Sequence, residues 1–288
     1  MPRLTEEQIA KRRTFIGASD IGAIAGLNPY KDAFAVLNEK LGYAIEGETN
    51  EAAEWGHRLE PVVRAWYAEQ EGVRLIPCGT VTHPGHPHRG ATLDSKVLES
   101  NRGLEVKVVG GRMMFDWDPH AADGIPHYVR AQCAWQMHVI GLDAIDVAAL
   151  LGGTDARIWR VERDAELEAT LVALGTKFWC QCVIGGLAPT TTDSADARTY
   201  LDGKYPPPPQ PVRIDADEAM AAAVFKRADA IARRDEADRE QRQATYDAIQ
   251  WLGAHGATDA IGDEWEFRYR VRKDGMRQPW FKRKGDRR

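Results

Sequence analysis

The run Gly103-Leu104-Glu105-Val106-Lys107-Val108-Val109 constrains this chain more than any other stretch. Its alternation and β-branched content predict a strand with Leu104, Val106 and Val108 on one face and Glu105 and Lys107 on the other. A second strand is expected over 89–98, where Asp94 follows the apolar Ala91 and Leu93. If the two are neighbours, two carboxylates and an ammonium meet on one side of a sheet. Charge on a short apolar strand is costly to bury without compensation, and a divalent cation held between Asp94 and Glu105 would compensate. Mg²⁺ suits hard carboxylate oxygens and keeps some of its waters. The expected shell is Asp94, Glu105 and the backbone carbonyl of Val106, with Glu60 completing it directly or through water. Lys107 would orient or help deprotonate an attacking water and offset phosphate charge. Two acids and a lysine are the set that metal-assisted phosphodiester cleavage uses.

Elements on either side supply further polar groups. A strand is also expected at 73–82, which with 89–98 and 103–109 gives an antiparallel meander. Before it, residues 51–71 read as an amphipathic helix whose apolar side offers Trp55, Leu59, Val62, Val63, Trp66 and Tyr67. Pro61 predicts a kink or helix start near Glu60. After the strands, 110–126 reads as a long irregular loop whose Trp117 is placed to pack on a base or on the protein itself. A helix then runs from His127 to Ile140 and stops at Gly141. Its Gln132 and Gln136 occupy a face where an apolar stripe would normally continue, which suggests contact with a site. A hairpin is expected for 144–151 and 155–162 across Gly152-Gly153, and a helix from Asp164 to about Ile184.

At the other end, a short helix over 5–14 is expected with Thr5 as its cap, and a small-residue element follows over Gly17–Gly26. Exposed amides at the start of that element can hold a phosphate with Arg12 or Arg13 one turn upstream. A tightly packed helix with a solvated basic end is the other reading. The segment His83-Pro84-Gly85-His86-Pro87-His88 places three histidines in six residues. Two prolines force an extended turn there with no ordered fourth ligand, so a structured loop at the mouth of the site is favoured over zinc.

A length of 288 residues with 43% hydrophobic side chains suffices for one large domain with an appendage. No apolar run of about 18 residues and no leader at Met1 are evident, so a cytoplasmic protein away from membranes is expected. Cys78, Cys133, Cys180 and Cys182 have spacing wrong for a zinc ribbon and are expected as reduced, mostly buried thiols. The net charge of −5 excludes coating nucleic acid by bulk electrostatics, though not a nuclease with acids at its centre. The segment 265–288 is the local exception, with ten Arg and Lys against three acids, a net of +7, interleaved with Trp265, Phe267, Tyr269, Trp280 and Phe281. Residues 1–190 are expected as the main domain and 191–212 as a Pro-rich linker. Over 213–288, a long exposed helix or a helical hairpin would precede a strand at 264–272 and the basic aromatic tail.

The ordered set Arg12, Gly17-Ala18-Ser19-Asp20-Ile21, Gly56-x-x-x-Glu60-Pro61, His83-Pro84, Gly90-Ala91-Thr92-Leu93-Asp94, Leu104-Glu105-Val106-Lys107 and Ile125-Pro126-x-Tyr128-x-x-Gln132 resembles the YqaJ-like viral recombinase family. Leu150-Leu151-Gly152-Gly153, Val161–Asp164 and Phe178-Trp179 extend the likeness, which covers roughly 10–190. These are relatives of the phage lambda exonuclease within the PD-(D/E)xK nuclease superfamily. The resemblance implies an α/β (α+β) restriction-endonuclease-like core, a mixed central sheet flanked by helices, here with a C-terminal helical and β appendage. It implies a Mg²⁺-dependent enzyme, with Mn²⁺ able to substitute, that digests double-stranded DNA 5′→3′ and leaves a 3′ strand for a single-strand annealing protein. Asp94, Glu105 and Lys107 would be its catalytic core, Glu60 a further acid and Gln132 a support. Arg12 with Ser19 would hold the terminal 5′-phosphate, with Arg13 the alternative. Ring-shaped trimers occur among relatives, so a homotrimer is one expectation, for a protein of a bacterial host or a phage-encoded one. The family often has Pro and Gly beside the Asp of its second motif, where this chain has Leu93 and Ser95. Rival readings are an endonuclease on the same core and an inactive DNA-end-binding accessory protein.

Overall fold

The structure is a computed structural model that describes residues 6–43, 51–118, 120–121, 123–190, 194–271 and 275–283. It divides into two compact units, Met1–Pro207 and Pro208–Arg288. The first unit opens with helices α1 (Glu6–Arg13), α2 (Ala18–Ile24), α3 (Ala33–Leu41) and α4 (Glu51–Glu71). Strands β1 (Leu75–Pro77), β2 (Thr80–His83), β3 (His86–Thr92), β4 (Ser95–Val97) and β5 (Arg102–Val109) follow, then α5 (His127–Ile140). The unit ends with β6 (Ala144–Leu151), β7 (Asp155–Glu162), α6 (Ala165–Phe178) and α7 (Ala195–Lys204). Thr5, the expected cap of α1, lies outside the described residues.

Five strands form a sheet in the order β1-β4-β5-β6-β7. Only the β5–β6 pair, which runs from Arg102↔Ala144 to Val109↔Leu151, is parallel, so the sheet is mixed. A parallel pair needs a crossover, and α5 supplies it. The β6–β7 hairpin turns through Gly152 (φ 59°) and Gly153 (φ 86°), a left-handed pair that glycine adopts without steric cost. The expected meander is corrected. Its antiparallel order survives as β1-β4-β5, but the first two strands each break in two, at Cys78-Gly79 and at Leu93-Asp94, and β2 with β3 form a separate two-stranded ribbon. At the second break the Asp94 side chain bonds to β5.

Helices cover both faces of this sheet. Val63 and Tyr67 of α4 pack on Leu104 and Val106 of β5. On the opposite face, Val129, Cys133 and Met137 of α5 pack on Ile145, Val147 and Trp159. The outer side of α5 presents Trp135 and Val139 to Ile21, Phe34 and Leu171 of α2, α3 and α6. Gly22 permits the close approach of α2 to α5, since a Cβ there would press on Tyr128. The expected apolar side of α4 narrows: Val63 and Tyr67 are buried, whereas Trp55 and Val62 are 50% and 62% exposed. Helix α4 runs on through Pro61.

The stretch 191–212 is not simply a linker. Helix α7 lies in it, with Ser194 accepting from the Ala197 N–H, Asn38 donating to the Asp196 carbonyl, and Tyr200 set 5.6 Å from the Phe34 ring. One buried aromatic anchors the helix, too little apolar periodicity to stand out among Gly, Thr and Asp. A second correction concerns Ala165–Ile184, which by length and composition could cross a membrane. Here Leu171, Phe178 and Cys182 of that stretch are buried in the core of the first unit.

The second unit consists of one 37-residue helix, α8 (Glu218–Ala254), and strands β8 (Asp259–Ile261), β9 (Trp265–Val271) and β10 (Arg277–Arg283). Asp217 caps α8 through the Met220 N–H, and no hairpin interrupts it. The strands form an antiparallel sheet in the order β10-β9-β8. Arg272, Lys273, Lys284, Arg287 and Arg288 of the basic tail lie outside the described residues.

Candidate active site

Asp94 occupies the break between β3 and β4. Its Oδ2 accepts the Val106 N–H at 2.7 Å, which pins the carboxylate to β5 beside Glu105. Alternation along β5 does the rest: Leu104 and Val106 enter the α4 side, and Glu105 and Lys107 enter the α5 side. Glu105 is 5% exposed, and every oxygen it has is held. Oε1 accepts from Gln132 Nε2 at 2.6 Å and from Lys107 Nζ at 2.7 Å, and Oε2 accepts from Gln136 Nε2 at 2.7 Å. Lys107 also donates to Gln132 Oε1 at 3.0 Å, closing a three-residue ring. Gln136 donates in addition to the Thr92 carbonyl at the end of β3. The two amides one turn apart on α5 therefore form the cradle of Glu105.

The electrostatics follow from this crowding. Burial, then the neighbouring carboxylates Glu105 and Glu60, push the Asp94 carboxyl up to about 7 against the pull of the Val106 N–H and Lys107. Burial works against the Lys107 ammonium, but Glu105, its hydrogen bond and Asp94 outweigh it and hold the lysine above its ordinary value. A cationic Lys107 can orient water and neutralise a phosphate, and it has no lone pair with which to act as a base. Cys133, beneath Lys107 and Glu105, is buried and its thiol is raised by that burial, so it is no nucleophile.

Asp94, Glu105 and Gln132 line a cleft of about 190 Å³ that Arg12, Gly17, Ser19 and Asp20 wall as well. Arg12 rather than Arg13 reaches this cleft: the Arg13 guanidinium lies against Gly42 at the end of α3. The wall is fixed by Asp20, which is buried and accepts from the Gly17 N–H, from Lys40 at 2.7 Å and from Lys31 at 3.0 Å. Burial alone would raise this carboxyl, but the two ammoniums and their hydrogen bonds hold it well below the usual range. Sequence reasoning missed that lock, since its partners lie far apart along the chain.

Other expected contributors stand elsewhere. Glu60 faces Asp94 electrostatically, yet its carboxylate is engaged by Arg64 one turn on. Trp117 is buried and packs at 5.3 Å on Trp159, so of its two expected roles it takes packing on the protein. The histidines of 83–88 do not line the cleft: His83 stacks on His138 and His88 on Trp179. Among the described residues no three His, Cys, Asp or Glu side chains converge tightly enough to hold a metal unaided. The carboxylates of Asp94 and Glu105 that line this cleft are hard oxygen donors and fit Mg²⁺ or Mn²⁺, ions that retain several waters. A thiolate- or imidazole-seeking ion has no such set there.

Residues 9–143 match the YqaJ-like viral recombinase domain. The match begins in the helix that carries Arg12 and ends just past α5, so every residue of the cleft falls inside the YqaJ-like segment. Over 205 residues the chain is 29% identical to the uncharacterized protein YqaJ of Bacillus subtilis (strain 168), covering 69% of this chain and 63% of that protein. Over 152 residues it is 24% identical to the uncharacterized protein R354 of Acanthamoeba polyphaga mimivirus, covering 49% of this chain and 28% of that one. The chain thus spans less than two thirds of the length of these relatives. Among solved structures, an alkaline exonuclease (LHK-Exo) from Laribacter hongkongensis, in complex with dAMP, superposes with a TM-score of 0.54 at 22% identity, covering 63% of this chain and 94% of that one. That likeness is one of fold. It agrees with the mixed, helix-flanked sheet expected for a restriction-endonuclease-like core.

Proposed function

We propose that this chain is a divalent-metal-dependent exonuclease that digests double-stranded DNA from a 5′ end and leaves a 3′ single strand. One observation carries the reading: Asp94, Glu105 and Gln132 share a cleft with Arg12 and Ser19, and Lys107 is bonded to Glu105 and Gln132. A bound Mg²⁺ would supply Lewis-acid polarisation of the scissile phosphate. Asp94, Glu105 and the Val106 carbonyl are the groups that would hold it, with Glu60 acting through water, given its bond to Arg64. Lys107 orients the attacking water and balances charge on the phosphate. Gln132 and Gln136 fix the Glu105 oxygens so that little reorganisation accompanies the reaction. Arg12 and the Ser19 hydroxyl bind the terminal phosphate, which makes the substrate an end and not an interior bond.

An acidic chain gains little from bulk attraction to DNA, so retention on the duplex would come from enclosure, as in a ring of three copies. The exposed 3′ strand would pass to a single-strand annealing protein. Duplexes labelled separately at each terminus test the reading in Mg²⁺ and Mn²⁺. Release of label from a 5′-phosphorylated end, with a covalently closed circle left intact and no release in chelator, is the expected result. Cutting of the circle would replace it with an endonuclease, and stoichiometric binding without turnover in either ion would replace it with an end-binding accessory protein.

A further inference from the structure

The second unit carries a surface that the cleft chemistry leaves unused. In its sheet, strand register sets Trp265, Phe267 and Tyr269 of β9 on one face with Phe281 of β10, which lies opposite Phe267. Arg277, opposite Val271, and Arg283, opposite Trp265, close the two ends of that row. Six residues of strand separate them, about 20 Å. Phe281 is 58% and Trp265 41% exposed. With Phe267 they line an open, mainly apolar groove of about 480 Å³ against Ala244 and Ala248 of α8.

Charge is divided between the two faces of this sheet. On the other face, Arg268 and Arg270 are neutralised by Asp259 and Glu266. On the aromatic face Arg277 lies 5.7 Å over the Tyr269 ring, and among the described residues neither it nor Arg283 forms an ion pair. Guanidiniums beside exposed aromatic rings suit a ligand that offers both π-faces and anions. Paired duplex bases present no free faces, whereas a single strand presents one at every base.

We propose that this face binds single-stranded DNA, with bases stacked on Trp265, Phe267 and Phe281 and phosphates paired to Arg277 and Arg283. The source of the strand, the product of digestion, rests on the nuclease reading above, but the binding itself does not. Held there, the emerging strand would be kept from re-annealing behind the enzyme.

The test uses the full chain in chelator and a fluorescein-labelled oligothymidylate of about 20 nucleotides, followed by anisotropy. Trp265→Ala with Phe281→Ala is expected to weaken binding at least about tenfold, as loss of two stacking rings should. Trp265→Phe with Phe281→Tyr, which keeps the rings, is expected to restore it. Arg277→Gln with Arg283→Gln, both at the surface, should lower the slope of log affinity against log salt by about 1.4. None of these changes should alter the affinity for a blunt duplex hairpin. Oligothymidylate binding and salt slope unchanged in the arginine pair would overturn the proposal and leave an acidic peptide as the better ligand, as would full affinity in the alanine pair. Wild-type binding of the oligonucleotide without digestion of duplex in Mg²⁺ would sink the nuclease reading alone.

Discussion

Gln132 donates to Glu105 Oε1 at 2.6 Å while its own carbonyl accepts from Lys107, so one amide sets the position of both an acid and a cation. An amide can do this because it carries a donor and an acceptor on one rigid plane. Gln132→Leu, close in volume, removes both contacts and leaves Glu105 to Lys107 and Gln136. Cleavage is expected to fall about 10–100-fold with a weaker apparent affinity for Mg²⁺ in a metal titration. Gln132→Glu places a third carboxylate against Glu105 and should be worse than leucine. A loss of activity with no shift in the metal midpoint would show that Gln132 does not act through Glu105.

Lys107→Ala removes the ammonium and leaves Asp94 and Glu105 without their nearest cation. Cleavage should drop about 10²–10³-fold, the usual cost of losing one preorganised electrostatic group, while duplex affinity in chelator stays within about twofold. Single-turnover rates beside anisotropy titrations separate the two effects. Retained cleavage would take Lys107 out of the mechanism.

How much of this was legible in the sequence depended on range. The faces of β5 and the limits of α5 followed from alternation and from Gly141, because strand and helix periodicity are local properties. Gln132 and Gln136 stood out as amides interrupting an apolar stripe, and both reach Glu105. The break at Leu93-Asp94 was invisible, since nothing in 89–98 announces that Asp94 would spend its carboxylate on the Val106 N–H. The choice between Arg12 and Arg13 depended on Gly42, at the far end of α3, against which Arg13 folds. The Asp20 lock depended on Lys31, just ahead of α3, and on Lys40 within it. Contacts between elements, not the elements, were what a linear reading lacked.

Gly90 sits on β3 directly beneath the Phe15 ring, and a Cβ there would overlap that ring. Its carbonyl also accepts from the Trp135 indole at 3.0 Å, so the strand has little room to retreat. Gly90→Ala is expected to lower stability by about 1–3 kcal/mol in urea unfolding, the usual cost of overpacking. Phe15→Leu in the same chain should recover part of that loss. Additive effects of the two changes would show that Phe15 is not what Gly90 accommodates.

Asp20 gives the fold a defined acid sensitivity. Its folded-state carboxyl is held below the unfolded value near 3.9, so its stabilisation is fully present above that pH and is lost as pH falls through and below it. Wild-type stability should therefore decline below about pH 4, and Asp20→Asn, which takes no part in this titration, should show a shallower decline, so that the gap between the two narrows with acidification. Breaking the buried pair from the other side, Lys40→Met leaves a buried carboxylate with Lys31 alone and should cost about 3–5 kcal/mol at neutral pH. Because the same carboxylate holds the Gly17 N–H, two residues before Ser19 in the cleft lining, Asp20→Asn should also weaken the preference for a 5′-phosphorylated end over a 5′-hydroxyl. Urea titrations at pH 7, 4 and 3, with end-preference assays at pH 7, read both effects, and a pH-independent gap between wild type and Asp20→Asn would count against the lock.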